Sequence, residues 1–139
     1  MKNNAPRFIV LLGLLLFVTC TVNRDPLSNS YDKYEGSWRW IKTIGGFAPR
    51  VITPEEGQTV IIRYDDQLKY RLFRNDTLKV SAHYSIEKTD HYGDKFIYTH
   101  ISTYDYHFDR ESEFATLHGD TIEIWDGMID GYFSWYVRE

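Results

Sequence analysis

Between Thr77 and Lys88 the chain alternates without interruption, with Leu78, Val80, Ala82, Tyr84 and Ile86 on one side and Lys79, Ser81, His83, Ser85 and Glu87 on the other. Successive side chains of a strand point to opposite faces, so this period of two predicts a strand with one buried and one wetted face. The same period marks strands over 37–44, 59–65, 68–74, 77–88, 95–103, 106–108, 113–117, 121–125 and 132–138. Their connectors are short: Asp65-Asp66-Gln67, Asn75-Asp76, Tyr92-Gly93-Asp94, Gly119-Asp120 and Asp126-Gly127. Gly, Asn and Asp tolerate the positive φ of tight hairpins, so neighbouring strands are expected to run antiparallel. No segment after Cys20 carries an apolar stripe of period 3.6.

These signs predict an all-β chain. A meander of strands leaves two raw edges unless it closes, which points to an antiparallel up-and-down β-barrel of about eight strands. A barrel of that size has an interior close to what side chains alone can fill. Whether anything binds inside therefore depends on which residues face inward. Stability must come from packing and the strand ladder, because the single cysteine cannot form an internal disulfide. The aromatic supply suits that need, with 4 Trp, 11 Tyr and 8 Phe.

The N-terminal region has a different character. Lys2 and Arg7 precede the apolar run Phe8 to Val18, the order of a secretory signal, and the run is about half the roughly 20 residues a spanning helix needs. Phe17-Val18-Thr19 followed by Cys20 resembles a bacterial lipoprotein signal, with Phe17 and Thr19 where Leu and a small residue are usual. The resemblance implies a lipidated Cys20, a palmitate-type anchor and a place in the bacterial cell envelope, at the outer membrane. The expected organisation is a signal peptide over 1–19, a lipidated cysteine and polar tether over 20–33, and a barrel domain over 34–139. Removing Lys2 and Arg7 from 16 basic residues leaves 14 against 20 acidic ones. A chain so acidic, without a basic stripe, is not expected to bind nucleic acid.

Gly36-Ser37-Trp38 is similar to the Gly-x-Trp signature of lipocalins, and Tyr136-Val137-Arg138 puts an arginine on the last strand, where lipocalins hold one over that tryptophan. Trp40, Gly45-Gly46, Ile52-Thr53-Pro54 and the closing segments Asp120 to Ile124 and Asp130 to Arg138 resemble small bacterial lipocalin-like lipoproteins. The family implies a lipocalin-like barrel that binds a small hydrophobic or amphipathic ligand, tied to a membrane by its lipid. Independently of the family, a guanidinium stacked on an indole is a favourable pair, so Arg138 on Trp38 would close the first strand on the last.

Candidate ligand-lining residues are Trp40, Phe96, Tyr98, His100 and Tyr104, one aromatic-rich face of two strands. The opposite face of the second strand carries Ile97, Thr99, Ile101 and Thr103, the β-branched filling common in barrels. Either face can point inward, so core packing and ligand lining both stand as readings. His83, His91, His100, His107 and His118 are scattered without metal-ligand spacing. Asp105, His107 and Asp109 share a strand face, which suits either acid-base work or a hydrated surface. Glu55-Glu56 and Asp65-Asp66 lie in loop-like sequence, and no nucleophile elbow or phosphate loop occurs. The chain is expected to have no enzymatic activity, no cofactor and no metal. Asp76-Thr77-Leu78 and Asp120-Thr121-Ile122 resemble an O-glycosylation triplet of exported bacterial proteins, and read equally as turn chemistry.

Two functions remain. One is a membrane-anchored barrel holding a small ligand, whose protein partner, if any, the sequence does not identify. The other is a non-enzymatic structural or accessory lipoprotein with a filled barrel acting through protein contacts. An interior cavity of about 300 Å³ or more separates the first from the second.

Overall fold

The computed structural model describes residues 31–103 and 111–139. The expected signal segment, Cys20, most of the tether, the short strand at 106–108, Tyr104 and the row of Asp105, His107 and Asp109 lie outside the described residues. Nine strands occur among the described residues: β1 (Gly36–Gly45), β2 (Arg50–Ile52), β3 (Val60–Tyr64), β4 (Lys69–Arg74), β5 (Thr77–Lys88), β6 (Asp94–Thr103), β7 (Ser112–His118), β8 (Thr121–Trp125) and β9 (Tyr132–Arg138). Each pairs antiparallel with its neighbours in one sheet. β3 pairs with Gly36–Arg39 of β1 and β2 with Thr43–Gly45, so β2 and β3 lie end to end and share one strand position. β1 also pairs with β9, from Trp38 opposite Arg138 to Gly45 opposite Tyr132. The result is a closed, antiparallel, up-and-down barrel of eight strand positions, as the alternation predicts.

Local chemistry explains the joints. At the β4–β5 turn Asn75 (φ 48°) and Asp76 (φ 61°) both take the left-handed conformation of a two-residue hairpin. Thr77 is exposed beside this turn, whereas Thr121 of the second Asp-Thr triplet is half-buried in β8. β2 escapes a period-two reading because three residues are too few to show a period.

The period-two phase slips at bulges. In β1 Trp40 faces Tyr136 and Lys42 faces Trp135, so Ile41 is an extra residue. Beyond it Thr43, opposite Ser134, takes the inward place. In β6 Thr99 faces His83 and Ser102 faces Ser81, leaving His100 and Ile101 together opposite Ala82. His100 adopts φ 51°, the left-handed bulge conformation, and is exposed. The unbroken run Phe96, Tyr98, His100 therefore divides: Phe96 and Tyr98 are buried, while His100 turns to the outer wall and Ile101 packs against the core.

The aromatic face of β6 thus forms the filling. Phe96 stacks on Tyr84 and meets Tyr34 edge-on, with ring centroids 5.6 and 4.9 Å apart. Trp38, Tyr64, Ile62, Val80 and Ile122 complete the most deeply buried set.

One end of this core is sealed by chain expected to be tether. A helical turn at 31–34 closes with the Tyr34 amide donating to the Tyr31 carbonyl at 2.9 Å. The Tyr31 ring packs against Tyr84, and Lys33 pairs with Asp94 at 2.6 Å. Residues 31–33 consequently belong to the folded unit rather than to a free tether. Tyr34 is 1% exposed; its hydroxyl lies 2.9 Å from Asp94 Oδ2 and 3.2 Å from the Ala115 carbonyl, and its own carbonyl accepts the Trp38 indole N–H at 2.8 Å. The Arg138 guanidinium lies 4.1 Å over the Trp38 ring and donates to the carbonyls of Glu35 and Lys33. A Cβ at Gly36 would stand 2.9 Å from Arg138 Nη1, at φ +124°, so glycine is required for this closure.

Candidate binding cavity at the open end

At the opposite end the barrel interior widens into a cavity of about 620 Å³. β1 contributes Trp40 and Thr43, β9 contributes Tyr132, Ser134 and Tyr136, and β4 contributes Leu72 and Arg74. The segment joining β2 to β3 supplies the remaining wall, including Glu55 and Gln58. Trp40 arrives there by alternation from Trp38. Its indole N–H donates to Thr43 Oγ at 2.9 Å, and Thr43 Oγ lies 2.8 Å from the buried Ser134 Oγ. The bulge at Ile41 makes this chain possible by turning Thr43 inward. The indole edge is thereby occupied while the residue still lines the cavity.

Deeper in the barrel lies a dry polar cluster. Glu113 of β7 is 3% exposed. Tyr98 donates its hydroxyl proton to Glu113 Oε1, and so accepts from Tyr64, whose hydroxyl is 3.1 Å away. Burial first, and next the negative charge of Glu113, push both tyrosines well above their ordinary range. Tyr70 and Tyr136 act on Tyr64 in the same direction, and Tyr136 also lines the cavity. The cluster therefore presents neutral phenols ordered around one carboxylate.

Of the residues singled out from sequence, Trp40 lines this cavity, Phe96 and Tyr98 are core beneath it, and His100 is displaced to the outside. Thr43, Arg74, Glu113, Ser134 and Tyr136 escaped notice. Glu113 carried a signal, since it shares a strand face with Ala115 and Leu117. Phe114 on the other face is equally apolar, so the strand's inward side was undecided.

The rim and outer wall also carry apolar groups. Phe47 is 93% and Ile129 102% exposed at two neighbouring hairpin tips. Trp125 stacks on Phe133 with centroids 5.8 Å apart and rings 7° from parallel. Among the described residues no cluster of three or more His, Cys, Asp or Glu could hold a metal ion. No helix among them is long and apolar enough to cross a membrane.

A closed barrel with this opening is capable in principle of enclosing a small ligand, and its architecture is consistent with the broad lipocalin and β-barrel superfamily. No protein-family model, curated protein or solved structure matches the chain.

Proposed function

We propose that this is a lipid-anchored, lipocalin-like binding protein that holds a small amphipathic molecule at the open end of the barrel. The observation that carries the reading is the cavity of about 620 Å³ beside Trp40 and Tyr136, a size typical of small-molecule sites. Its aromatic walls suit a flat or branched apolar body. Thr43 and Ser134 offer hydroxyl, Gln58 amide and Glu55 carboxylate partners to a polar head. The phenols of Tyr64 and Tyr98 below stay neutral near physiological pH with their protons committed inside the cluster, and nothing in the arrangement calls for bond-making chemistry. On this reading the protein is not an enzyme and resembles the small lipocalin-like lipoproteins of the bacterial envelope.

Titration with an amphipathic dye such as anilinonaphthalene sulfonate tests the cavity. Saturable binding with quenching of tryptophan fluorescence is expected, and it should be lost in Trp40→Ala. Non-saturable partition, or unchanged affinity in that variant, would sink the assignment. The anchor is tested separately: the native-host protein should carry an acylated Cys20 by intact mass, and Cys20→Ser should leave the membrane fraction.

The alternative accessory role draws support from the exposed tips at Phe47 and Ile129. It predicts a protein partner retained when the cavity is filled by substitution.

A further inference from the structure

The β6 bulge that turns His100 outward also builds a second, separate feature. On the outer wall of β4, β5 and β6 lies a polar notch of about 300 Å³ lined by Lys69, Arg71, Ser81, His83, His100 and Ser102. Strand register assembles it: Lys69 stands opposite His83, and Arg71 opposite Ser81, which in turn faces Ser102. His100 enters between these rows, its ring meeting that of His83 edge to face with centroids 6.1 Å apart. Among the described residues neither imidazole hydrogen-bonds to protein, and Lys69 makes no ion pair. Arg71 is steadied by Asp65, with 2.9 Å between Nη1 and Oδ2. The Lys69 amide donates to the other oxygen of the same carboxylate, which fixes the start of β4.

Two imidazoles alone would suit a borderline metal ion. The neighbouring ammonium and guanidinium oppose a cation, and Asp65, the carboxylate that the described residues bring there, is engaged with Arg71. What remains is a convergence of donors: an ammonium, a guanidinium, two imidazole N–H groups and two hydroxyls. A non-glycine residue held at positive φ is a cost of order 1 kcal/mol that tends to persist at functional positions.

The geometry points to an oxyanion site on the outer wall, which takes a phosphate group in its tetrahedral, multiply charged form. Charge-assisted bonds from Lys69 and Arg71 supply the attraction, and the imidazoles and serines fix the orientation. A soluble phosphate and the headgroup of a phosphomonoester lipid share this chemistry. The site is independent of the open-end cavity and of whatever the cavity holds.

Titration of the full chain with inorganic phosphate at constant ionic strength, following the ring resonances of His83 and His100, tests the proposal. Saturable shifts are expected, weakened about tenfold or more in Lys69→Gln and in His100→Gly, as the loss of one charge-assisted bond implies. His100→Gly suits the φ of the bulge and so removes the imidazole without endangering the fold. His118→Gln, in a distant hairpin, should bind as the parent does. Equal shifts with chloride, or full affinity in both notch variants, would overturn the site. Co-sedimentation with phosphatidylcholine vesicles containing phosphatidic acid separates the sources. Capture lost in Lys69→Gln assigns the lipid headgroup, whereas phosphate binding without capture assigns a soluble phosphate.

Discussion

Trp38 and Trp40 leave the same face of β1 two residues apart, and they meet different surroundings. Trp38 is fully buried, with Arg138 over its ring and the Tyr34 carbonyl on its N–H. Trp40 is half-buried, held by a threonine hydroxyl, and looks into a cavity. The difference does not come from the strand itself. At the Trp38 level a separate piece of chain, the turn at 31–34, folds across the barrel and brings Tyr31 and Tyr34 with it. At the Trp40 level the described chain supplies no such plug. An eight-stranded barrel is near the limit of self-filling, so the plug makes one half a core, while among the described residues the other half stays open.

Alkali is the severest test of this contrast. Burial first, with the nearby acids after it, holds Tyr34, Tyr64, Tyr84 and Tyr98 neutral beyond the ordinary tyrosine range. The unfolded chain loses these protons near pH 10 while the folded chain keeps them, so above that pH the folded state binds more protons and stability falls as pH rises. Each unit costs about 1.4 kcal/mol per tyrosine, against a total stability of about 5–15 kcal/mol. Ionisation of these four tyrosines, followed by their own ring resonances, and loss of β-sheet circular dichroism should appear together one to two units above that point. Ionisation of the same four near pH 10 with the barrel intact would mean that the closed half is not dry.

Substitution separates the two tryptophans next. Trp38→Ala should cost about 3–5 kcal/mol in denaturant unfolding and lower the melting temperature by several degrees or more. An unchanged melting temperature would break the idea that Arg138 and Trp38 lock the seam. Tyr34→Phe tests the plug more gently, because it strips Asp94 of a buried partner at a cost of about 1–3 kcal/mol. Trp40→Ala should cost less, about 2 kcal/mol, since its ring is only partly buried and borders the cavity, yet abolish dye binding. Thr43→Val is the smallest change: about 1 kcal/mol from the stranded Trp40 indole N–H and Ser134 hydroxyl, with weakened rather than absent binding. If Trp40→Ala proved as destabilising as Trp38→Ala, the open half would be core after all.

Most strand boundaries are legible because alternation records a wet and a dry side directly, as in Val80 to Ile86; Leu78, expected on the same buried face, is instead 47% exposed, because Lys79 is an extra residue in the β4–β5 pairing. What alternation cannot record is an inserted residue. Ile41 and the His100–Ile101 pair leave the pattern of apolar and polar letters looking continuous while the faces exchange, which is why alternation groups His100 with Phe96 and Tyr98 and gives no sign of Thr43. Strands apolar on both sides hide their direction too, as β7 did with Glu113 and Phe114. The plug was missed for a different reason. Tyr31 and Tyr34 sit in polar sequence, and their burial depends on contacts with Tyr84, Asp94 and Ala115, far along the chain.

The β1–β9 seam has a consequence for when this protein can fold. Arg138 reaches back 103 residues to the Glu35 carbonyl, and the pairing that abolishes both sheet edges spans the same interval. Contacts so distant in sequence are slow to form, because a long loop must be closed before they repay its entropy. Until β9 arrives, β1 and β8 are open edges able to pair with other chains. Assembly therefore has to wait for nearly the whole domain to emerge, and a lesion in β9 should show first as aggregation during synthesis rather than as a weakened native state.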